Sequence, residues 1–407
     1  MSRPADARAD ASGPSGAAEQ IQAKRALAKR RQPRAAADAP IGAEEARRLL
    51  LPAIAGARRA LLAVSGGPDS VALMRLCAAI AREGGLGELH VATVDHGLRA
   101  DSRAEAERVG AWARDCGLAH SILSWQGPKP ATRIQERARS ARYALLGAKA
   151  REIGAEILVT AHTLDDQAET VLMRIAHGSG LAGLAAMRFS SMREGLTHAR
   201  PFLAVAKARL LSTCRANHWP FSEDPANADP RFARARWRKL APALAKEGLT
   251  AARLAKLALR AASAEEALEA KADEAFGSAC IERRPDGLVL DIAGLVRREP
   301  REITLRVLLR ALAELRGAER HVPVRLERVE NVLDGLRTCV AERRVCKRTV
   351  AGAIIAFDGV RTLSCGREKR RRGLARGAAA AGFASSAEAP ASPRTNQGNS
   401  NASLVLV

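Results

Sequence analysis

Three clusters of polar residues could do chemistry, and each follows a short apolar run. SGGPDS (65–70) comes after ALLAV, DHGLR (95–99) after VATV, and HTLDDQAET (162–170) after EILVTA. The first cluster sets two glycines among serines at the mouth of a helix, where backbone N–H groups can face an anion. Gly66 and Gly67 permit close approach and unusual dihedrals, and Pro68, lacking an N–H, suits a first helical turn. A P-loop needs G-x-x-x-x-G-K-[ST], whose lysine reaches terminal phosphates. No lysine follows here, and the loop carries Asp69 instead. Asp69 and Ser70 can hold the loop through side-chain to backbone bonds, or Asp69 can bind Mg2+. The third cluster places His162 ahead of Asp165 and Asp166 at a helix start. An isolated acidic pair there is usually a cap. The preceding histidine and a shared crevice tilt it towards proton chemistry.

Certain elements must position these clusters. ALLAV (60–64), ELHVATV (88–94) and EILVTA (156–161) read as buried strands with helix candidates between them. Ser102 and Glu105 predict a capping box opening AEAERVGAWARDC, closed by Gly117. Thr132 and Gln135 predict another for RIQERARSARYALLGAKAREI, closed by Gly154. Alternating strands and helices predict an α/β fold, a doubly wound parallel sheet. Ligands bind such sheets beyond the carboxyl ends of the strands, where all three clusters fall. The catalytic domain is expected over 44–243. A separate, mainly helical domain is expected over 244–362, with short strands in GLVLDI (287–292) and VAGAIIAF (350–357). Residues 1–43, including KRALAKRRQPR, read as a disordered basic arm, and 363–407 as a flexible tail.

The 407 residues carry 66 basic and 44 acidic side chains, a formal charge of +22. That excess points to a polyanionic partner, with nucleic acid the default. No apolar stretch is long enough to span a bilayer, and no secretory signal is evident. Seven scattered cysteines without a C-x-x-C pair argue against a disulfide framework or a zinc ribbon, and for reduced thiols in the cytoplasm. Half of the aromatic residues lie within 189–237: Phe189, Phe202, Trp219, Phe221, Phe232 and Trp237. RFARARWRK (231–239) interleaves two of them with Arg231, Arg234, Arg236, Arg238 and Lys239. Stacking faces among cations suit an unpaired RNA base, although large aromatics as often pack a core.

SGGPDS matches, at all six positions, the SGGxDS signature of the PP-loop family of N-type ATP pyrophosphatases, which this chain resembles. A narrower resemblance, to the tRNA(Ile)-lysidine synthetase family, rests on six further segments. These are DHGLRADSRAEA (95–106), QERARSARY (135–143), TAHTLDDQAET (160–170), RIAHGSGLAGLAAM (174–187) and RPFL (200–203) with WPFSEDPANADPRFARARWR (219–238). The chain departs from the pattern at His177, where arginine is usual, at Ala186, where glycine is common, and at Ala235, in an asparagine place.

The resemblance implies an ATP cradle at Ser65, Gly66, Gly67, Pro68, Asp69 and Ser70, with Asp69 at Mg2+. Asp95, His96 and Arg99 are expected around the nucleotide, and Arg139 and Arg142 against adenylate phosphate or RNA backbone. The partners it implies are free L-lysine and a tRNA(Ile) with a CAU anticodon, whose wobble cytidine is adenylated and then substituted. Asp166, with Asp165 second, is the expected holder or base for the lysine amine, alongside His162. Arg231, Arg234, Arg236 and Arg238 are the expected RNA contacts. Oligomeric state stays open, a homodimer among the options. A PP-loop thiolase would want paired cysteines, and a dead RNA binder would have no use for the loop.

Overall fold

A computed structural model describes residues 38–54, 56–98, 101–127, 132, 134–222, 233–316 and 326–368. Arg99, Arg231, Phe232 and KRALAKRRQPR lie outside the described residues. The chain forms two compact units, divided between Glu274 and Ala275.

The first unit holds strands β1 (Arg59–Ala63), β2 (Glu88–Asp95), β3 (Ala119–Ser124), β4 (Ile157–Thr160), β5 (Ser190–Arg193) and β6 (Leu196–Ala199). Its helices are α1 (Ala43–Ile54), α2 (Pro68–Arg82), α3 (Ser102–Asp115), α4 (Ile134–Ile153), α5 (Leu164–Ala176) and α6 (Leu181–Leu184). They continue with α7 (Lys207–Ala216), α8 (Ala233–Lys246) and most of α9 (Ala251–Ala279). The strands run β3-β2-β1-β4-β6-β5, all parallel except β5, which is antiparallel to β6.

The apolar run of β1 feeds both faces of this sheet. Leu62 joins Leu73, Met74, Val91 and Val159 in one core, while Leu61 joins Ala92, Tyr143, Leu146 and Leu158 in another. The two-residue period of a strand thus sorts its side chains between α1, α2, α3 and α7 on one side and α4 on the other. Both leucines are fully buried, and truncating either to Ala costs about 2–5 kcal/mol. From β1 the chain winds outward to β2 and β3, then returns to β4 on the opposite side. The strand order therefore reverses between β1 and β4, and the loops leaving these two strands frame a crevice.

The three anticipated strands sit within one or two residues of their predicted places. The AHSILS strand β3 and the β5–β6 hairpin carry too little apolar periodicity to be foreseen. At α3 the N-cap falls one residue before the expected Ser102. Asp101 is the N-cap, without a side-chain bond, and the Ser102 hydroxyl donates instead to Asp95 Oδ1 at 2.7 Å. The expected arm also stops short of residue 43, because Ile41 is buried and its N–H donates to Thr213 Oγ1.

The second unit contains an antiparallel sheet in the order β7-β8-β11-β10-β9. Its strands are β7 (Cys280–Arg284), β8 (Gly287–Asp291), β9 (Cys346–Val350), β10 (Ala353–Phe357) and β11 (Thr362–Arg367), with helices α10 (Ile292–Arg298), α11 (Arg301–Arg316) and α12 (Leu326–Ala341). Only β8 and β10 were legible as strands. The outer strands, CIERR and CKRTV, are mostly exposed and charged. Residues 363–367, expected within the flexible tail, are strand because Leu363 and Cys365 bury their side chains. Among the described residues no helix is long and apolar enough to cross a membrane.

Candidate active site

The glycine turn occupies the β1 side of the crevice. Gly66 takes φ +91°, a left-handed conformation, and a Cβ there would press on Val109 at 3.2 Å, so both backbone and space call for glycine. Gly67 caps α2, with Pro68 following in the first turn. Ser70 holds the turn: its hydroxyl donates to the Gly67 carbonyl at 2.9 Å and accepts from the Ser65 N–H at 3.2 Å. The Gly66 carbonyl accepts the Ser222 N–H. The N–H groups of Gly66 and Gly67 donate to no protein group among the described residues, and they sit where the dipole of a fifteen-residue helix favours negative charge.

Asp69 does not brace this turn. Its Oδ2 lies 3.4 Å from Lys207 Nζ, and its Oδ1 is buried without a hydrogen-bond partner. Burial pushes its carboxyl up to about 6, against the pull of Lys207. An orphaned, buried carboxylate oxygen beside the glycine turn has the donor chemistry that a divalent cation needs.

On the β4 side, Thr163 caps α5 in a reciprocal box with Asp166. Asp166 Oδ2 accepts from both the N–H and the hydroxyl of Thr163, each at 2.9 Å, and the Asp166 N–H donates to Thr163 Oγ1. Asp166 Oδ1 points to Arg234 Nη1 at 3.7 Å. Asp165 Oδ2 accepts the Lys207 backbone N–H at 2.8 Å. Lys207 therefore links the two loops, its ammonium to Asp69 and its N–H to Asp165. Each carboxylate has a structural duty, and each keeps one oxygen that accepts no hydrogen bond from the protein among the described residues. His162 is buried behind them. Its Nδ1 meets Thr160 Oγ1 at 2.7 Å, and burial, with the charges of Arg142, Arg200, Arg139 and Arg234, holds its pKa well below the ordinary imidazole range.

Arginines gather on the α4 side of β4 and β6. The guanidinium carbons of Arg139 and Arg142 lie 5.2 Å from the Tyr143 ring centre, and that of Arg193 lies 3.5 Å from it. None of the three has a carboxylate partner among the described residues. Burial lowers the Arg139 pKa, but a guanidinium keeps its charge. The cluster concentrates positive charge that no carboxylate among the described residues offsets.

Asp95 holds its own loop, Oδ1 accepting from the Gly97 N–H and the Ser102 hydroxyl. The Ser102 bond is the chief cause of its lowered pKa. His96 stands edge-on to Trp125, with ring centres 6.1 Å apart. Of the expected RNA contacts, Arg238 donates to the buried Glu169 at 2.5 Å, and Arg234 faces Asp166. Their four-residue spacing turns both towards α5, while Arg236, between them, is exposed. Phe202 is core, and Trp219 and Phe221 pack against it. Phe189 remains 37% exposed.

The departures also find places. His177 ends α5 with Nδ1 at 2.5 Å from the Met173 carbonyl. Ala235 is buried. Ala186 adopts φ +51°, the left-handed region that the commoner glycine would enter without strain. Sequence reasoning missed Lys207, Arg193, His198 and Arg200. RPFL did flag a segment beginning at Arg200, without a role for the arginine.

A family model described as a PP-loop domain matches residues 41–244. The tRNA(Ile)-lysidine synthase of Methylobacterium nodulans is 52% identical over 339 residues, covering 82% of this chain and 98% of its own. That of Bradyrhizobium sp. strain BTAi1 is 47% identical over 352 residues, covering 82% and 97%. The solved U34-tRNA thiolase NcsA from Methanococcus maripaludis overlaps 53% of this chain and 78% of its own at 16% identity and a TM-score of 0.47, too low to bear on the assignment. With the glycine turn, the acid–histidine loop and near full-length relatives in agreement, the chain belongs to the tRNA(Ile)-lysidine synthase family of PP-loop proteins.

Proposed function

We propose that this chain is an ATP-dependent ligase that joins L-lysine to C2 of the wobble cytidine in a CAU-anticodon tRNA(Ile), changing its reading from AUG to AUA. The carrying observation is Lys207, which ties the anion cradle after β1 to the acid pair after β4. A nucleotide held by one loop is thereby presented to the other.

The cytidine C2 carbonyl oxygen attacks the α-phosphorus and pyrophosphate leaves. The lysine ε-amine then attacks C2, and AMP departs with that oxygen. No γ-phosphoryl group is handed over, so the lysine of a P-loop has no task here. The free N–H groups of Gly66 and Gly67 hold the pyrophosphate portion. Mg2+, when bound at Asp69, offsets charge on the leaving group. Asp95 and His96 border the nucleoside, and Arg139 and Arg142 take the α-phosphate. An ammonium cannot attack, so one proton must leave the amine first. Asp166, with Asp165 second, is the acceptor. Arg236 and the overall +22 charge serve the RNA backbone, and an anticodon base is already unpaired and cheap to splay out. Seven free cysteines fit a reducing cytoplasm.

The test is nucleoside mass spectrometry on tRNA(Ile) incubated with protein, ATP and lysine, together with pyrophosphate release. Lysidine and pyrophosphate appear only when tRNA and lysine are both present. Release of ADP, or an unchanged cytidine, overturns the reading.

A further inference from the structure

The side chains beneath the crevice form a directional hydrogen-bond relay that ends at His162. Arg200, 5% exposed, brings Nη2 to 2.8 Å from His198 Nδ1. Its other terminal nitrogen donates to the Arg188 carbonyl and to Ser191 Oγ. His198, fully buried, brings Nε2 to 2.9 Å from Thr160 Oγ1, and that hydroxyl lies 2.7 Å from His162 Nδ1.

Arginine only donates. His198 Nδ1 must therefore accept, which leaves the His198 proton on Nε2, aimed at Thr160. The threonine oxygen accepts it, and its single hydrogen has one acceptor in reach among the described residues, His162 Nδ1. The proton of His162 is thereby driven onto Nε2, which has no hydrogen-bond partner among the described residues. The fold assembles this chain by register. His198 of β6 pairs with Leu158 of β4, and two further steps along β4 bring Thr160 to the same face. The Tyr143 ring, with its arginines, lies 5.4 Å from that of His198.

Resting on the lysidine-forming reading, we propose that Arg200 and His198 are positioning residues that fix His162 as a neutral Nε2–H donor to a phosphoryl oxygen of the adenylyl group. His162 is then no general base, because one ring nitrogen already carries its proton and the other is occupied. The neighbouring arginines favour an anionic acceptor at the same place, and that task needs a donor of fixed direction. The acid pair is left to receive the proton of the amine.

The experiment is two-bond proton–nitrogen correlation NMR of the full chain labelled with [15N]histidine. His162 is assigned by its loss in His162→Gln, and lysidine formation is measured in parallel. In wild type, His162 and His198 are both expected as Nε2–H tautomers at neutral pH. His198→Gln can still accept from Arg200 and donate to Thr160, so it keeps the His162 tautomer and a kcat within about threefold. His198→Leu breaks the relay: His162 averages between tautomers and kcat falls at least tenfold, with KM for lysine little changed. Thermal melts confirm that both variants fold. A His162 proton on Nδ1 in wild type, or full kcat in His198→Leu with the tautomer released, overturns the proposal. Absence of lysidine with wild type sinks the functional reading instead, and the NMR result then stands by itself.

Discussion

On the α2 and α5 flank of the crevice, acids and bases answer one another. Asp69 has Lys207, Asp166 has Arg234 and Glu169 has Arg238. On the α4 flank, Arg139, Arg142 and Arg193 surround one phenol, and no carboxylate reaches them among the described residues. Both flanks bury charge, which is costly unless it is compensated. The first is compensated within the protein and holds its shape alone. The second has no such compensation among the described residues, and under the proposed function an adenylate phosphate would supply it. The proposed transfer of an adenylyl group would use both: fixed carboxylates for cation and amine, and uncompensated cations for phosphate.

Four variants test that contrast and a fifth tests a backbone departure, in descending order of expected effect. Asp166→Asn preserves the cap, since an amide oxygen still accepts from Thr163, but removes the proton acceptor. Lysidine formation should fall about 10²–10⁴-fold, with adenylation, read as pyrophosphate exchange, much less affected. Wild-type turnover in this variant would move the base elsewhere, to Asp165 first. Asp69→Asn should lower the adenylation rate about 10²-fold while stabilising the fold at alkaline pH. The sign follows from a folded pKa of about 6, raised from 3.8 by burial. The native state binds the extra proton between these values, so Asp69 takes stability away as pH rises through that window. Melting temperatures of variant and wild type should coincide near pH 4 and diverge above pH 6, the variant being higher. Equal melting at pH 8 would mean that Lys207 fully compensates the charge.

Arg139→Ala and Arg238→Met separate the two kinds of arginine. The first should weaken tRNA or ATP binding by about 2 kcal/mol and leave the melting point nearly unchanged. The second strands the buried Glu169 and should cost about 1–3 kcal/mol of stability, with little change in the salt dependence of tRNA binding. Reversed outcomes would return Arg238 to the RNA. The smallest effect is Ala186→Gly, which relieves the left-handed strain at φ +51°. A gain of about 1 kcal/mol in chemical denaturation is expected.

The cradle was readable because its parts are contiguous. A glycine turn with its serines and proline is one local backbone event between a strand and a helix. The acid–histidine loop was readable for the same reason, although T-x-x-D at 163–166 was also a cap, and spacing alone does not separate the two roles. His198 and Arg200 were not readable in this way. His198 sits in LTHA, a four-residue strand with no pattern to announce it, and its meaning comes from which residue of β4 it pairs with. Lys207 reads as one more cation opening a basic helix, and only the reversal of strand order brings it between two loops. Arg234 and Arg238 illustrate the converse. Their aromatic neighbours suggested nucleic acid, whereas helix periodicity turned both towards carboxylates on α5.

The charged outer strands of the second unit carry a consequence for behaviour at high concentration. An antiparallel copy pairing with β9 about its centre would set Arg348 against Arg348 across a ladder only about 5 Å wide, and β7 presents Glu282, Arg283 and Arg284 at the other edge. Charge on both edge strands thus disfavours growth of that sheet by self-addition, so the solubility of the second unit rests on the same basic side chains that raise the net charge.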